Sequence, residues 1–144
     1  MKTPCEIVVW YVLPAMRSEI ARVLRDTHHM KQSDIGKLFG VTDAAVSQYL
    51  NKKRGVSKVI EESPLYEQFL AQAELSAARL ATGKVGMVDE LCRICTFSKR
   101  SGLMALVYTD YTDCPAPPCA RGAYINVDVP APDENGNLAD VPDS

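Results

Sequence analysis

Apolar residues recur at helical spacing along most of the chain. The run IVVWYVL, residues 7–13, follows TPCE, residues 3–6, in which threonine can cap a helix, proline fits its first turn and glutamate can close a capping box. This start favours a buried helix, with Trp10 in the core. Apolar positions every three or four residues predict a second helix over residues 14–26. Pro14 is expected to end the first helix or to begin the second.

The rest of the chain also reads as helical. Residues 31–39 and 42–52 predict two short helices, and a longer one extends over residues 64–82. Residues 88–95 place apolar side chains on one face of the next helix. From Gly102 the period is unclear, and both a helix and a short strand fit. With little sign of a sheet elsewhere, the pattern predicts an all-α fold.

The stretch QSDIGKLFGVTDAAVSQYL, residues 32–50, has the spacing of a helix-turn-helix. Gly36 is the small residue where two helices cross closely. Gly40 stands at the sharp turn, where a left-handed conformation suits glycine. Thr42 can cap the second helix. A short helical hairpin in a protein core would have a similar pattern, but the coincidence of these positions favours a DNA-binding unit.

The polar and small side chains of this unit are the candidate DNA contacts. Those near the start of the second helix can reach base edges in the major groove, and the basic residues that follow can meet phosphates. The candidates are Gln32, Thr42, Asp43, Ala44, Ser47, Gln48, Asn51, Lys52, Lys53 and Arg54.

Two longer segments resemble a known family. GVTDAAVSQYLNKKRG, residues 40–55, resembles Cro/phage-repressor-like helix-turn-helix domains. Together with PCEIVVWYVLPAMRSEIARVL, residues 4–24, it is similar to the amino-terminal region of predicted archaeal transcriptional regulators. The match is close over about residues 3–58 and looser beyond. The resemblance implies a five-helix DNA-binding domain that is often dimeric on DNA. Gly36 departs from the alanine that is common at its position.

Charge divides the chain into unlike parts. Residues 1–58 carry ten Lys and Arg against five Asp and Glu, and residues 59–144 carry six against thirteen. Charge therefore draws only the first part towards phosphate. We predict a DNA-binding domain over 1–58, a helical, cysteine-rich region over 59–124 for metal binding and dimerisation, and a disordered acidic tail over 125–144.

Four cysteines form two close pairs in the second part. Two residues separate Cys92 from Cys95, four separate Cys114 from Cys119, and eighteen lie between the pairs. This spacing predicts one metal centre, and the cysteine–proline step after Cys114 favours an iron–sulfur cluster over Zn²⁺. A regulatory dithiol, or cysteines without a shared partner, would also fit the spacing. Cys5 lies outside the pattern and is expected to be a small buried hydrophobe.

The sequence thus predicts a transcriptional regulator that binds double-stranded DNA, in which the metal centre is structural or senses redox state or metal supply. It predicts a homodimer through residues 64–101, because helices with an apolar stripe need a partner. An antitoxin-like or adaptor protein that binds proteins also fits the sequence, as does a thiol oxidoreductase that uses Cys92 and Cys95. No further enzyme motif is evident, so we expect no catalysis and no small-molecule substrate. Without a long apolar run or a signal-peptide pattern, a cytoplasmic location is expected.

Overall fold

The structure, a computed structural model, describes residues 3–121, and this part of the chain contains helices and no strand. The all-α prediction is therefore confirmed for these residues. The predicted disordered tail, residues 125–144, lies outside the described residues. The helices are α1 (Pro4–Ile7), a π-helical stretch (Val8–Val12), α2 (Leu13–Asp26), α3 (Gln32–Phe39), α4 (Asp43–Leu50), α5 (Lys58–Glu61), α6 (Tyr66–Ala81), α7 (Met87–Ser101), α8 (Leu103–Thr112) and a 3-10 turn (Pro118–Arg121). Between residues 3 and 121, no helix combines the length and the apolar character needed to cross a bilayer.

The first helix begins as predicted but does not end at Pro14. The Thr3 side chain accepts a hydrogen bond from the Glu6 amide at 3.4 Å, and the Glu6 carboxylate accepts one from the Thr3 amide at 2.8 Å. The helical path then continues through the π-helical stretch into α2. A proline inside a helix has no N–H to donate, and its ring crowds the carbonyl four residues earlier. The π-helical stretch stands directly before α2, and Pro14 falls in the first turn of α2, which is the start of a second helix that the sequence allowed.

Helix α2 lies at the centre of the core. Its Met16, Ile20 and Leu24 side chains have no solvent exposure, and α2 packs along α6 as well as against α4 and α3. One buried cluster extends from the first helix to the 3-10 turn, so the predicted regions on either side of residue 58 share a core. The division of the chain at that residue stays a prediction.

The apolar stripe of α6 is covered within the chain. Phe69, Ala73, Ala77 and Leu80 are all buried, and α6 contacts α2 and α7. The unpartnered stripe was the reason for expecting a dimer surface over residues 64–101. Since α2 already covers that stripe, the homodimer stays a prediction without that support.

A buried carboxylate joins α6 to α7. Glu90 has no solvent exposure, and its carboxylate accepts hydrogen bonds from Ser76 at 3.0 Å, from Arg93 at 2.8 Å and from Arg79. Arg93 also donates to the side chain of Gln72 on α6. Burial acts to raise the pKa of Glu90, but the bonds from the two arginines and the serine outweigh it and lower the pKa below its ordinary value. The ionised carboxylate therefore holds the two helices together.

The aromatic residues of the first apolar run differ from expectation. Trp10 is 54 % exposed, so its predicted place in the core was wrong. The neighbouring Tyr11 ring stacks on Tyr111 of α8, with ring centroids 3.7 Å apart and the planes 9° from parallel. The segment after Gly102, which the sequence left open between helix and strand, is helical. Gly102 adopts φ +89° and separates α7 from α8.

Candidate nucleic-acid interface

Two glycines shape the junction of α3 and α4. Gly40 adopts φ +68°, the left-handed conformation that the sequence predicted for the turn. A Cβ atom on Gly36 would lie 3.0 Å from the Val41 carbonyl oxygen and 3.5 Å from a methyl group of Val46. The close crossing predicted at Gly36 is therefore confirmed. The two glycines let α4 turn back against α3 at short range.

The start of α4 is fixed by two side-chain hydrogen bonds. The Thr42 hydroxyl accepts from the Ala45 amide at 3.1 Å, which confirms the predicted cap. The Gln32 amide group, at the start of α3, donates to the Asp43 carbonyl at 2.8 Å. Gln32 was predicted as a DNA contact, and here it braces the first turn of α4 against α3.

Helix α4 buries one face and presents the other to solvent. Ala45, Val46 and Tyr49 are buried against α2 and α3. The Asn51 amide group donates to the Ser47 hydroxyl at 3.2 Å on the outer face. Of the predicted base contacts, Thr42, Asp43, Ala44 and Asn51 are exposed, and Ser47 and Gln48 are half-buried. The structure thus brings the predicted contact residues together on one small, polar surface.

The chain leaves α4 through a tight turn, which we call the exit turn, residues 51–55. The Lys53 amide donates to the Gln48 carbonyl at 2.8 Å, and the Lys52 amide donates to the Tyr49 carbonyl at 3.3 Å. These two bonds form a Schellman motif, which satisfies carbonyls at the end of the helix. Lys52 occupies its left-handed position with φ +59°, where glycine is the usual residue.

The Lys52 side chain returns to α2. Its ammonium donates to the Glu19 carboxylate at 2.8 Å and to the Ser18 hydroxyl at 3.3 Å. The Ser18 hydroxyl in turn donates to the Tyr49 carbonyl at 3.0 Å. Burial acts to raise the pKa of Glu19, but the bonds from Lys52 and Arg22 outweigh it, and the pKa is lowered. Lys52, predicted as a phosphate contact, is therefore ion-paired within the chain.

Gly55 fixes the other end of the exit turn. It adopts φ +73°, and a Cβ atom there would lie 2.3 Å from the Pro14 carbonyl oxygen and 2.8 Å from the Cβ of Ser18. The backbone at Gly55 thus lies directly on α2. Lys53 and Arg54 stand between the two contact points and are exposed, and within residues 3–121 neither has an ion-pair partner.

The four cysteines of the two sequence pairs do not gather into a metal centre in the described part of the chain. Cys92 is exposed and Cys95 half-buried on α7, while Cys114 is exposed and Cys119 half-buried near the 3-10 turn, and all four are free thiols. Between residues 3 and 121, no three His, Cys, Asp or Glu side chains gather as metal ligands do. The residues as placed do not fit the predicted iron–sulfur or Zn²⁺ site. That site stays a prediction without support from this geometry.

Cys5 has a neighbour that the spacing did not reveal. It is exposed, so its predicted burial was wrong. Burial raises the pKa of Cys95; Lys99 opposes the rise, and the thiols of Cys5 and Cys92 add to it. The Cys5 thiol therefore lies near enough to Cys95 to influence its pKa, beside the contact between the π-helical stretch and α7. The two are 90 positions apart in the sequence, and no local pattern could have related them.

In comparisons with known proteins, no family model, no curated protein and no solved structure matches this chain. The resemblance of residues 40–55 to Cro/phage-repressor-like domains therefore stays a prediction. Function has to follow from the residues of the chain and their geometry.

Proposed function

We propose that this chain binds double-stranded DNA with sequence preference and regulates transcription, and that α4 enters the major groove. The observation that carries the proposal is the division of α4 into a buried apolar face and a compact polar face, followed at once by exposed cations. A major groove about 12 Å wide admits one α-helix. The resemblance to helix-turn-helix regulators supports the regulatory role.

Base reading falls to the first two turns of α4. In this proposal Gln48 makes the paired hydrogen bonds that an adenine edge accepts and donates, and Asp43 accepts from a cytosine amino group. Ala44 offers a methyl group of the kind that contacts thymine. The side chains are short, so the helix axis has to lie deep in the groove. The turn through Gly40 and the brace from Gln32 fix the direction of this helix before DNA is met.

Phosphate contacts fall to the exit turn. Lys53 and Arg54 follow the reading face directly and are exposed. Side chains that bind phosphate set the register of a protein on the duplex without choosing its sequence. The amino-terminal part of the chain, residues 1–58, carries the excess of positive charge that this contact requires.

The proposal is tested by selecting duplexes that bind the full chain from a random pool. We expect enrichment of a short common sequence. Gln48→Ala should then reduce the preference for that sequence over random duplex by about 5-fold to 150-fold, the equivalent of one bidentate base contact. Gln68→Ala changes an exposed glutamine on α6, away from this surface; it is the control and should leave the preference unchanged.

Two results would count against the proposal. A pool without enrichment would remove sequence preference. Absence of duplex binding at low salt would remove DNA as the partner, and would favour a protein-binding role for the same surface.

A further inference from the structure

We infer that Lys52 is an anchor of the exit turn and not a phosphate ligand, and that Glu19, by holding Lys52, is a positioning residue that directs Lys53 and Arg54 towards the DNA backbone. The inference rests on the proposed function and refines it. It divides three consecutive basic residues, which the sequence treats alike, into one structural cation and two binding cations.

The backbone of Lys52 adopts a conformation that favours glycine, with φ +59°. A residue with a Cβ atom in the left-handed conformation is strained, which is why glycine is usual at this position of a Schellman motif. A lysine there needs compensation. The structure supplies it, because the ammonium reaches a carboxylate and a hydroxyl on α2 at 2.8 and 3.3 Å.

The charge of Lys52 is paired with that of Glu19. Glu19 is a nearly buried carboxylate whose other oxygen accepts from Arg22 at 3.0 Å. Moving the Lys52 ammonium to a phosphate would leave that carboxylate with one partner fewer in a poorly solvated place. Lys52 therefore keeps its pair when DNA approaches. A cation that is already paired releases no counterion from the DNA and does not contribute to the salt dependence of binding.

The exit turn is held against α2 at two points. The turn is held on α2 at Lys52 through Glu19, and at Gly55 through the close contact with Pro14. Only Lys53 and Arg54 lie between these two points, and both are exposed. A two-residue segment held at both ends has little freedom, so its side chains start from a fixed place beside the reading face of α4.

The test compares single variants by the slope of log binding constant against log salt, measured with a selected duplex. Lys53→Met should make the slope shallower by about 0.9, the loss of one phosphate contact. Lys52→Met should leave the slope unchanged and weaken binding by the same factor at every salt concentration. Glu19→Gln should also weaken binding; because it frees the Lys52 ammonium, it should not make the slope shallower. Lys84→Met, in the exposed loop after α6, is the control and should alter neither quantity.

A second measurement, on the chain without DNA, keeps the inference testable if a variant is unstable. We expect the two changes Lys52→Met and Glu19→Gln to be coupled. In the double variant, the second change should lower the melting temperature by less than it does alone. Lys52→Gly relieves the backbone strain and serves as the folded form without an ammonium at this position.

Three outcomes would overturn the inference. A shallower slope for Lys52→Met, matching that of Lys53→Met, would show that Lys52 binds phosphate while the proposed function stands. Additive losses of melting temperature would remove the anchor. If the unaltered chain binds no duplex at all, the proposed function is wrong. The role of Glu19 in positioning Lys53 and Arg54 for DNA is then wrong as well, even if the melting temperatures show that Glu19 and Lys52 are coupled.

Discussion

Replacing Gly55 by alanine should destabilise the fold far more than an ordinary glycine change. The left-handed backbone at φ +73° costs about 1–2 kcal/mol for a residue with a Cβ atom. In addition, the new methyl carbon would lie 2.3 Å from the Pro14 carbonyl oxygen. That atom belongs to the helix backbone and cannot rotate away, so the exit turn has to move off α2, which adds about 1–3 kcal/mol.

Gly83→Ala is the matched control. Gly83 has nearly the same φ, +74°, but a Cβ atom there meets no atom within 4 Å. Only the cost of the left-handed backbone applies, so we expect a loss of about 1–2 kcal/mol, against about 2–5 kcal/mol for Gly55→Ala. In a chain of this length these losses correspond to about 3–6 °C and about 6–15 °C in melting temperature. Urea unfolding at equilibrium measures both variants. Equal losses for the two would refute the close contact between the exit turn and α2.

Other parts of the molecule give three further predictions. Glu90→Gln should lower the free energy of unfolding by about 2 kcal/mol at neutral pH, because it removes the charge between two guanidinium groups. The folded pKa of Glu90 lies below its ordinary 4.5, so the difference in unfolding free energy between the variant and the unaltered chain should be complete above about pH 4.5 and shrink as the pH falls further. Unfolding at several pH values measures this difference, and a difference that does not change with pH would contradict the prediction. Cys92 and Cys114 should react with iodoacetamide faster than Cys95, whose pKa is raised by burial. Mass spectrometry of the labelled peptides measures the three rates, and faster labelling of Cys95 than of the other two would contradict the prediction. If the predicted metal centre exists, anaerobically purified protein should contain metal, and its metal content should fall in Cys119→Ser but not in Cys5→Ser. Elemental analysis measures this content. Metal-free protein with normal protease resistance would contradict the centre.

Local chemistry explains which features the sequence could predict. The cap at Thr3, the cap at Thr42 and the turn at Gly40 each depend on residues within four positions of one another. Hydrogen-bonding rules for helix ends and the freedom of glycine act at that range, so the pattern of residues was sufficient. The close crossing at Gly36 was predictable for a related reason, because a tight turn brings α3 and α4 together within a few residues.

Features that depend on long-range packing were not predictable. Glu19 and Lys52 are 33 residues apart, and nothing in their local patterns relates them. The exposure of Trp10 follows from which face of the first helix meets the core, a choice made by α2, α7 and α8 together. The burial of the apolar stripe of α6 under α2 also depends on long-range packing. The sequence shows that a helix has an apolar face, but only the fold shows what covers it.

Local rules predicted part of the arrangement at Pro14, which lies in the first turn of α2 as the start of a second helix. They did not predict that the helical path would continue from α1 into α2 without a break. A π-helical stretch, Val8–Val12, joins the two. This form is rare, so a pattern based on the α-helical period does not anticipate it.

The central claim is that α4 and the exit turn form the DNA-binding surface. Its most direct test is the map of backbone amide chemical shifts of isotope-labelled protein as a selected duplex is added. We predict that the largest changes fall at residues 42–48 and 52–54, while the buried network around Glu90 between α6 and α7 stays unchanged. Changes centred on α6 and α7, or no changes at all at low salt, would contradict the claim.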